Sequence, residues 1–230
     1  NNTANFSADN SVITNNTTTG NGGAVYVKNG SVSLTDTTVS NNTASGDGGA
    51  LYVTNEANVE LVNVDFTDNT SGGKGGAIYT DKNLTINAEN GSSTFRGNTA
   101  NGESNAIYVD SSDAVLTLNA GSKGTINMND KISGTDNKYK LNMTGSSSGK
   151  INLNDTVTNA NVTMSNITLN MGKDDLLQGN NLNLQSGVLN LQNGEVGNMD
   201  LSNFSMNGNA KVKVDVDLLD GIPSRFPFVW

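Results

Sequence analysis

The 230 residues carry 13 lysines and arginines against 22 aspartates and glutamates, and a net charge of −9 argues against a phosphate-backbone track or a polybasic membrane contact. Cysteine and histidine are absent, which removes disulfides, thiolate and imidazole metal ligands, a cysteine nucleophile and a histidine base. With 34% hydrophobic and 15% charged residues there is too little apolar material for a thick core and too little charge for a disordered polyelectrolyte, so a thin, elongated core is expected.

The first elements are strands. Residues 5–17 (NFSADNSVITNNT) align with 31–43 (SVSLTDTTVSNNT) at an offset of 26, and these with 58–70 (NVELVNVDFTDNT) at 27. Apolar positions then coincide: Phe6, Val32 and Val59; Ala8, Leu34 and Leu61; Ile13, Val39 and Phe66. They alternate with polar residues, the period-2 pattern of a strand with one buried face. Between these segments a second phrase recurs: Gly22-Gly23-Ala24-Val25-Tyr26-Val27, Gly48-Gly49-Ala50-Leu51-Tyr52-Val53 and Gly75-Gly76-Ala77-Ile78-Tyr79-Thr80, fading into Ser104-Asn105-Ala106-Ile107-Tyr108-Val109. The third repeat keeps Leu84 and Ile86 but gains about four residues, 89–92, before Phe95, which is expected to be a surface loop.

Each unit thus holds three short strands (AVYV, SVSLT and TVSNN in the first case) separated by Gly- or Asn-rich corners, with no helical periodicity. Three strands per coil of 25–29 residues describe an all-β parallel β-helix, or β-solenoid, whose coils hydrogen-bond to one another about 4.8 Å apart. The absence of proline before Pro223 fits coils that must donate ladder N–H groups. The glycine pairs Gly22/Gly23, Gly48/Gly49 and Gly75/Gly76 mark a corner needing positive φ or close backbone approach. Asn16, Asn42, Asn69 and Asn98 are expected to stack as an asparagine ladder at another corner. Val25, Leu51, Ile78 and Ile107 are assigned to the interior, which makes Tyr26, Tyr52, Tyr79 and Tyr108 an outward row; the opposite assignment, with the Ala/Tyr face inside, is the alternative.

Farther along, 124–132 (GTINMNDKI) aligns with 149–157 (GKINLNDTV) at an offset of 25. Alternating pairs follow: Leu141/Met143, Val162/Met164, Ile167/Leu169, Leu182/Leu184, Leu189/Leu191, Met199/Leu201 and Phe204/Met206, ending in the alternation of 211–218. A single solenoid over 1–218 is expected, with regular repeats over 1–110, less regular Asn/Leu-rich coils over 111–218, and an irregular apolar tail or truncation end at 219–230. No signal-peptide pattern opens the chain, which begins at Asn1 inside a repeat and reads as a fragment.

The GGA[VLI] phrases at Gly22, Gly48 and Gly75, paired with FxxN at Phe66–Asn69 and Phe95–Asn98, resemble the repeats of polymorphic outer-membrane proteins and related bacterial autotransporter passengers, over roughly residues 5–110. Ile13 and Val39 replace the phenylalanine in the earlier copies, so the match is a variant. The resemblance implies a right-handed parallel β-helix passenger at the bacterial cell surface (outer membrane) or secreted, and many such passengers act as adhesins. With no His or Cys and every prominent motif repeated, a structural or adhesive role without catalysis is expected. The resemblance also implies a host-cell or matrix glycan or protein as partner. No nucleic acid is expected at this charge, and membrane contact is expected only through a barrel domain that this chain lacks.

Acidic groups provide the rival readings. Glu56, Glu60, Asp65 and Asp68 cluster in sequence, as do Asp110 and Asp113. Held about 5–10 Å apart, two carboxylates serve glycoside hydrolysis, and the same groups ligate calcium. The blander reading is a solvated outer face that protects an edge-rich fold, consistent with Glu60 and Asp65 at outward strand positions. Asp130 and Asp155 occupy matching places in two copies, which argues for turns. No catalytic residue, cofactor or metal is expected. The alternative is a secreted glycan-active β-helix enzyme, a lyase or glycoside hydrolase using surface carboxylates. The tyrosine row is the one candidate ligand contact, an aromatic platform for sugars if it faces out; the favoured reading is plain stacking that stabilises adjacent coils.

Overall fold

A computed structural model describes residues 4–215 apart from Val196, and gives no side-chain environment for Ala4, Asn55 and Glu56. The tail expected at 219–230, the solenoid end at 218 and the side chain of Glu56 lie outside the described residues. Within them the chain forms 26 strands and no helix. The strands stack into a twelve-, a nine- and a five-stranded sheet, every pairing parallel except one between Thr99–Ala100 and Glu103–Ser104.

The registers follow the sequence alignment. Phe6 pairs with Val32 and Val32 with Val59; Ile13 pairs with Val39 and Val39 with Phe66; the 124–132 and 149–157 segments pair as Thr125 with Lys150 through Met128 with Leu153. The core is a set of columns one side chain deep. Leu34, Leu61, Ile86, Leu118, Met143, Met164 and Leu184 stack turn on turn, each at most 1% exposed. Opposite them run Val39, Phe66, Phe95, Met128 and Leu153, with the two phenylalanine rings stacked at 5.2 Å. A column of matched side chains buries apolar area between neighbouring coils with no need for a second layer.

Asparagine and aspartate are abundant because the corners demand them. Asn10, Asp36, Asn63 and Asn90 turn one corner with φ of 46–51°, and Asn15, Asn41, Asp68 and Gly97 turn the next with φ of 54–72°. Short Asx side chains and glycine tolerate this left-handed conformation. The AVYV and SVSLT segments share the twelve-stranded sheet and fuse into the long strands Val25–Thr35 and Leu51–Val62, then separate as Ile78–Thr80 and Leu84–Ala88. The five-stranded sheet consists of two-residue strands that follow the corner asparagines, such as Thr43–Ala44 and Thr70–Ser71. Of the expected loop at 89–92, Glu89 and Asn90 are exposed, but Ser92 already belongs to the strand Ser92–Arg96.

Coil size departs from the 25–29 residues expected. Phe95 pairs with Met128, an offset of 33, whereas Ile151 pairs with Leu169 (18) and Leu169 with Leu189 (20). The later coils are shorter because they have lost a side. The five-stranded sheet ends at the antiparallel pair 99–104, and the column of tyrosine-bearing strands ends at Ile132–Gly134, where Ser133 pairs with Tyr108, with one further bridge to Val157. From there each coil is two strands and two corners. The turn-rich segment 172–180 covers the vacated side: Val157 N donates to Leu176 O at 2.9 Å, and Leu176 and Leu177 are 3% and 0% exposed. Met199 and Leu201 lie on an irregular path preceding Asn203–Met206, although both pack against the core, so their alternation does not mark a strand.

Candidate functional site

The glycine pair divides its labour. Gly22, Gly48 and Gly75 take φ of 68, 65 and 66°, and Cβ atoms there would run into the carbonyls of Val25, Leu51 and Ile78. Gly23 and Gly49 have ordinary φ but face the next coil, where a Cβ would land on the carbonyls of Gly49 and Gly76; at Gly76 it would meet the Thr99 backbone. One glycine makes the turn and its neighbour allows coil-to-coil contact.

The spacing in FxxN also has a mechanical reason. In each of Asn16, Asn42 and Asn69, the backbone N–H and the side-chain Nδ2 both donate to Oδ1 of the asparagine one coil on, at 2.9–3.1 Å. The second Nδ2 proton of Asn42, Asn69 and Asn98 goes back to the carbonyl of Ile13, Val39 and Phe66, three residues before the previous ladder asparagine. The apolar residue of the motif therefore buries its side chain while its carbonyl receives the next coil's amide. Asn42 and Asn69 satisfy two donors and two lone pairs at 0% exposure.

Asp130 ends the ladder. Its Oδ2 accepts from Asn98 N at 2.9 Å and Nδ2 at 2.7 Å, its Oδ1 from Gly97 N at 2.8 Å, and the residue is 5% exposed. A carboxylate only accepts, so it closes the series without a donor needing a further rung. This role was not legible from the matched copies, since Asp155, its sequence counterpart, accepts from Ser104 Oγ and its own neighbour Thr156 N. The available signal was an acid following the last FxxN copy.

The tyrosine row faces outward, between the buried flanks Leu51/Val53, Ile78/Thr80 and Ile107/Val109. Its rings form a parallel stack, with centroids 5.1, 4.7 and 6.1 Å apart and planes within 4–8°. Tyr26 is 54% exposed but Tyr79 only 8%. Tyr79 Oη donates to Asp110 Oδ2 at 2.5 Å, Asp110 Oδ1 lies 3.3 Å from Lys74 Nζ, and that ammonium sits 4.3 Å from the Tyr108 ring centre. Burial, then the bonded Asp110 carboxylate, push the Tyr79 pKa up. Burial raises Tyr52 as well, followed by Tyr26, Asp47 and Asp81. For Lys74 burial opposes the charge, but contacts with Tyr108 and Asp110 outweigh it and the pKa rises. Folding thus favours the neutral phenols of Tyr52 and Tyr79 and the charged form of Lys74, and the hydrogen bond, ion pair and cation–π contact tie neighbouring coils together. Stacked rings cover each other's inner faces, which leaves the hydroxyl edges and the outer faces of the end rings Tyr26 and Tyr108, the latter with Lys74 Nζ 4.3 Å from its centre.

Glu60, Asp68 and Asp113 are exposed, and Asp65 and Asp110 half-buried. Among the described residues no group of three or more acidic side chains converges to hold a metal ion. Asp36 and Asp65 share a shallow depression of about 260 Å³ with Asn63, which bonds Asp36 Oδ1 at 3.0 Å.

This geometry is where the comparison with known families falls. Residues 10–28, 36–54 and 63–81 each contain one FxxN-type strand, one ladder asparagine, one Gly-Gly-Ala phrase and one stacked tyrosine. All three match the Chlamydia polymorphic membrane protein repeat. The matched segments come to 57 of 230 residues (three of 19), and neither the fourth tyrosine coil nor the two-sided coils are among them. No curated protein and no solved structure matches the chain. Every feature shared by the matched copies contributes to contact between coils: the matched segment, as it stands here, is a unit of stacking.

Proposed function

We propose that the chain is a passenger segment of a bacterial autotransporter, displayed at the outer-membrane surface, with a structural and adhesive role and no catalysis. The observation that carries this is the run of three consecutive polymorphic membrane protein repeats, whose ladder and tyrosine stack serve axial stacking. A stiff rod that holds its outer face away from the cell suits such a role, and an extended solenoid face spreads binding over several coils. The partner class is a host-cell or matrix glycan or protein. The test displays the chain on a laboratory bacterium through an unrelated barrel and scores adhesion to epithelial cells together with glycan turnover. Adhesion above the empty barrel, with no turnover, is expected. Sugar cleavage abolished by alanine at one of Glu60, Asp65, Asp68, Asp110 or Asp113, with the fold intact, refutes it.

A further inference from the structure

The two-sided coils carry on their outside a feature that the repeats do not have. Strands Ala160–Met164, Asn181–Leu184 and Asn203–Met206 pair in register, so two rows of outward side chains run along the axis. One row is Asn161, Asn181 and Asn203, the other Thr163, Asn183 and Ser205, and between them lies an open trough of about 420 Å³ floored by strand backbone. Residues two apart on a strand place the rows about 7 Å apart, and successive rungs follow at about 4.8 Å.

The chemistry of the trough is uniform. In the first row Asn181 Nδ2 donates to Asn161 Oδ1 at 2.7 Å and Asn203 Nδ2 to Asn181 Oδ1 at 2.8 Å. The Asn181 and Asn203 amides thereby each aim one proton along the axis and keep a second for a partner outside, whereas Asn161 Nδ2 donates to Lys138 O at 3.1 Å. In the second row Ser205 Oγ donates to Asn183 Oδ1 at 3.1 Å, while the Asn183 amide protons and the Thr163 hydroxyl have no protein partner among the described residues. No charged side chain lines the trough itself, and Lys140, which pairs with Asn161 one rung before it, is the single cation among the described residues that borders its rows. A polyanion laid along the rungs finds a counter-charge at that end alone. A third amide row, Asn127, Asn152, Asn170 and Asn190 on the nine-stranded sheet, has the same axial bonds, but Lys150 stands in the row beside it, so it provides a control.

We propose that this trough binds an extended, uncharged glycan laid along the solenoid axis. Amides and hydroxyls supply both donors and acceptors, as sugar hydroxyls require, and the rung repeat is on the scale of one pyranose unit. The inference rests on the surface reading above only for where such a glycan is met; the trough itself is tested in solution. The soluble chain is titrated with neutral hexasaccharides of β-linked glucose, galactose, mannose and N-acetylglucosamine, and with a heparin hexasaccharide, following asparagine side-chain amide signals by NMR. At least one neutral sugar is expected to saturate shifts at Asn181, Asn183 and Asn203. Asn183→Ala is expected to weaken it at least fivefold and Asn183→Arg to block it, while Asn152→Ala leaves it unchanged, all with unaltered melting temperature. The proposal is overturned by the absence of saturation with every neutral sugar at about 10 mM, by tighter binding of heparin than of any neutral sugar, or by equal affinity in Asn183→Arg. Cell adhesion that persists while the titration is silent removes the trough and leaves the surface role standing.

Discussion

Replacing Asn69 by alanine tests the asparagine ladder at a fully buried rung. The side chain accepts from Asn42 N and Nδ2, each at 3.0 Å, and donates to Val39 O and Asn98 Oδ1, both at 2.9 Å. Truncation therefore strands three buried groups: the Asn42 N–H, one Asn42 amide proton and the Val39 carbonyl. At about 1–3 kcal/mol for each unsatisfied buried group the loss lies between about 3 and 9 kcal/mol. A water entering the vacated volume recovers part of this, so about 3–5 kcal/mol is expected, a large share of the roughly 5–15 kcal/mol of an ordinary domain. Asn16→Ala removes the same motif residue at an exposed rung, where Asn42 Oδ1 keeps the backbone N–H and loses only the amide donor and the exposed Thr14 carbonyl loses the other amide proton, and should cost under about 1 kcal/mol. Urea unfolding gives the totals. Because a solenoid frays from its weakest coil, amide exchange at Asn42 supplies the local reading and should accelerate selectively in Asn69→Ala. Equal losses in the two variants, or an Asn69 loss below about 1 kcal/mol, would show that the ladder geometry carries little energy.

Asp130→Asn should cost about 1–3 kcal/mol in thermal melts, because the new amide must turn a donor towards the N–H of Gly97 or Asn98. Leu61→Asp, at a position 0% exposed, should cost several kcal/mol, whereas its exposed neighbour Glu60→Ser should stay within about ±0.5 kcal/mol; equal effects would invert the inside/outside register. Tyr139 is fully buried with its hydroxyl unpartnered, so Tyr139→Phe should stabilise the chain by about 1 kcal/mol. Folding raises the pKa of Tyr52, Tyr79 and Tyr139 above the ordinary 10.0, chiefly through burial. Folding thus favours the neutral phenols: their contribution is intact below about pH 10 and is lost as pH climbs towards the folded values. The melting temperature should fall above about pH 10, less steeply in Tyr139→Phe.

The sequence alone carried whatever depends on one coil repeating the last. Offsets of 26 and 27 placed Val32 beside Val59 and Val39 beside Phe66, because a two-residue strand period leaves one register that buries every apolar side chain. The glycine pairs, the asparagine ladder and the outward tyrosines followed from the same repetition. Tertiary structure decided what depends on the neighbour a coil actually meets. Asp130 is a ladder cap because Asn98 and Gly97 aim three N–H groups at it, while Asp155, alike in sequence, faces Ser104. The loss of one side after Gly134 was invisible because alternating strands look alike whether two or three complete a turn; Ile151 reaches Leu169 in 18 residues only because Leu176 and Leu177 cover the side that the vanished strands left open. The tyrosine faces were settled in the same way: alternation directs the rings outward, but only stacking at 4.7–6.1 Å determines that they cover one another. Strand patterning is local and survives in one dimension, whereas hydrogen-bond caps, ring stacking and coil cross-section are contacts between residues some 18–33 positions apart, and those exist only once the turns have stacked.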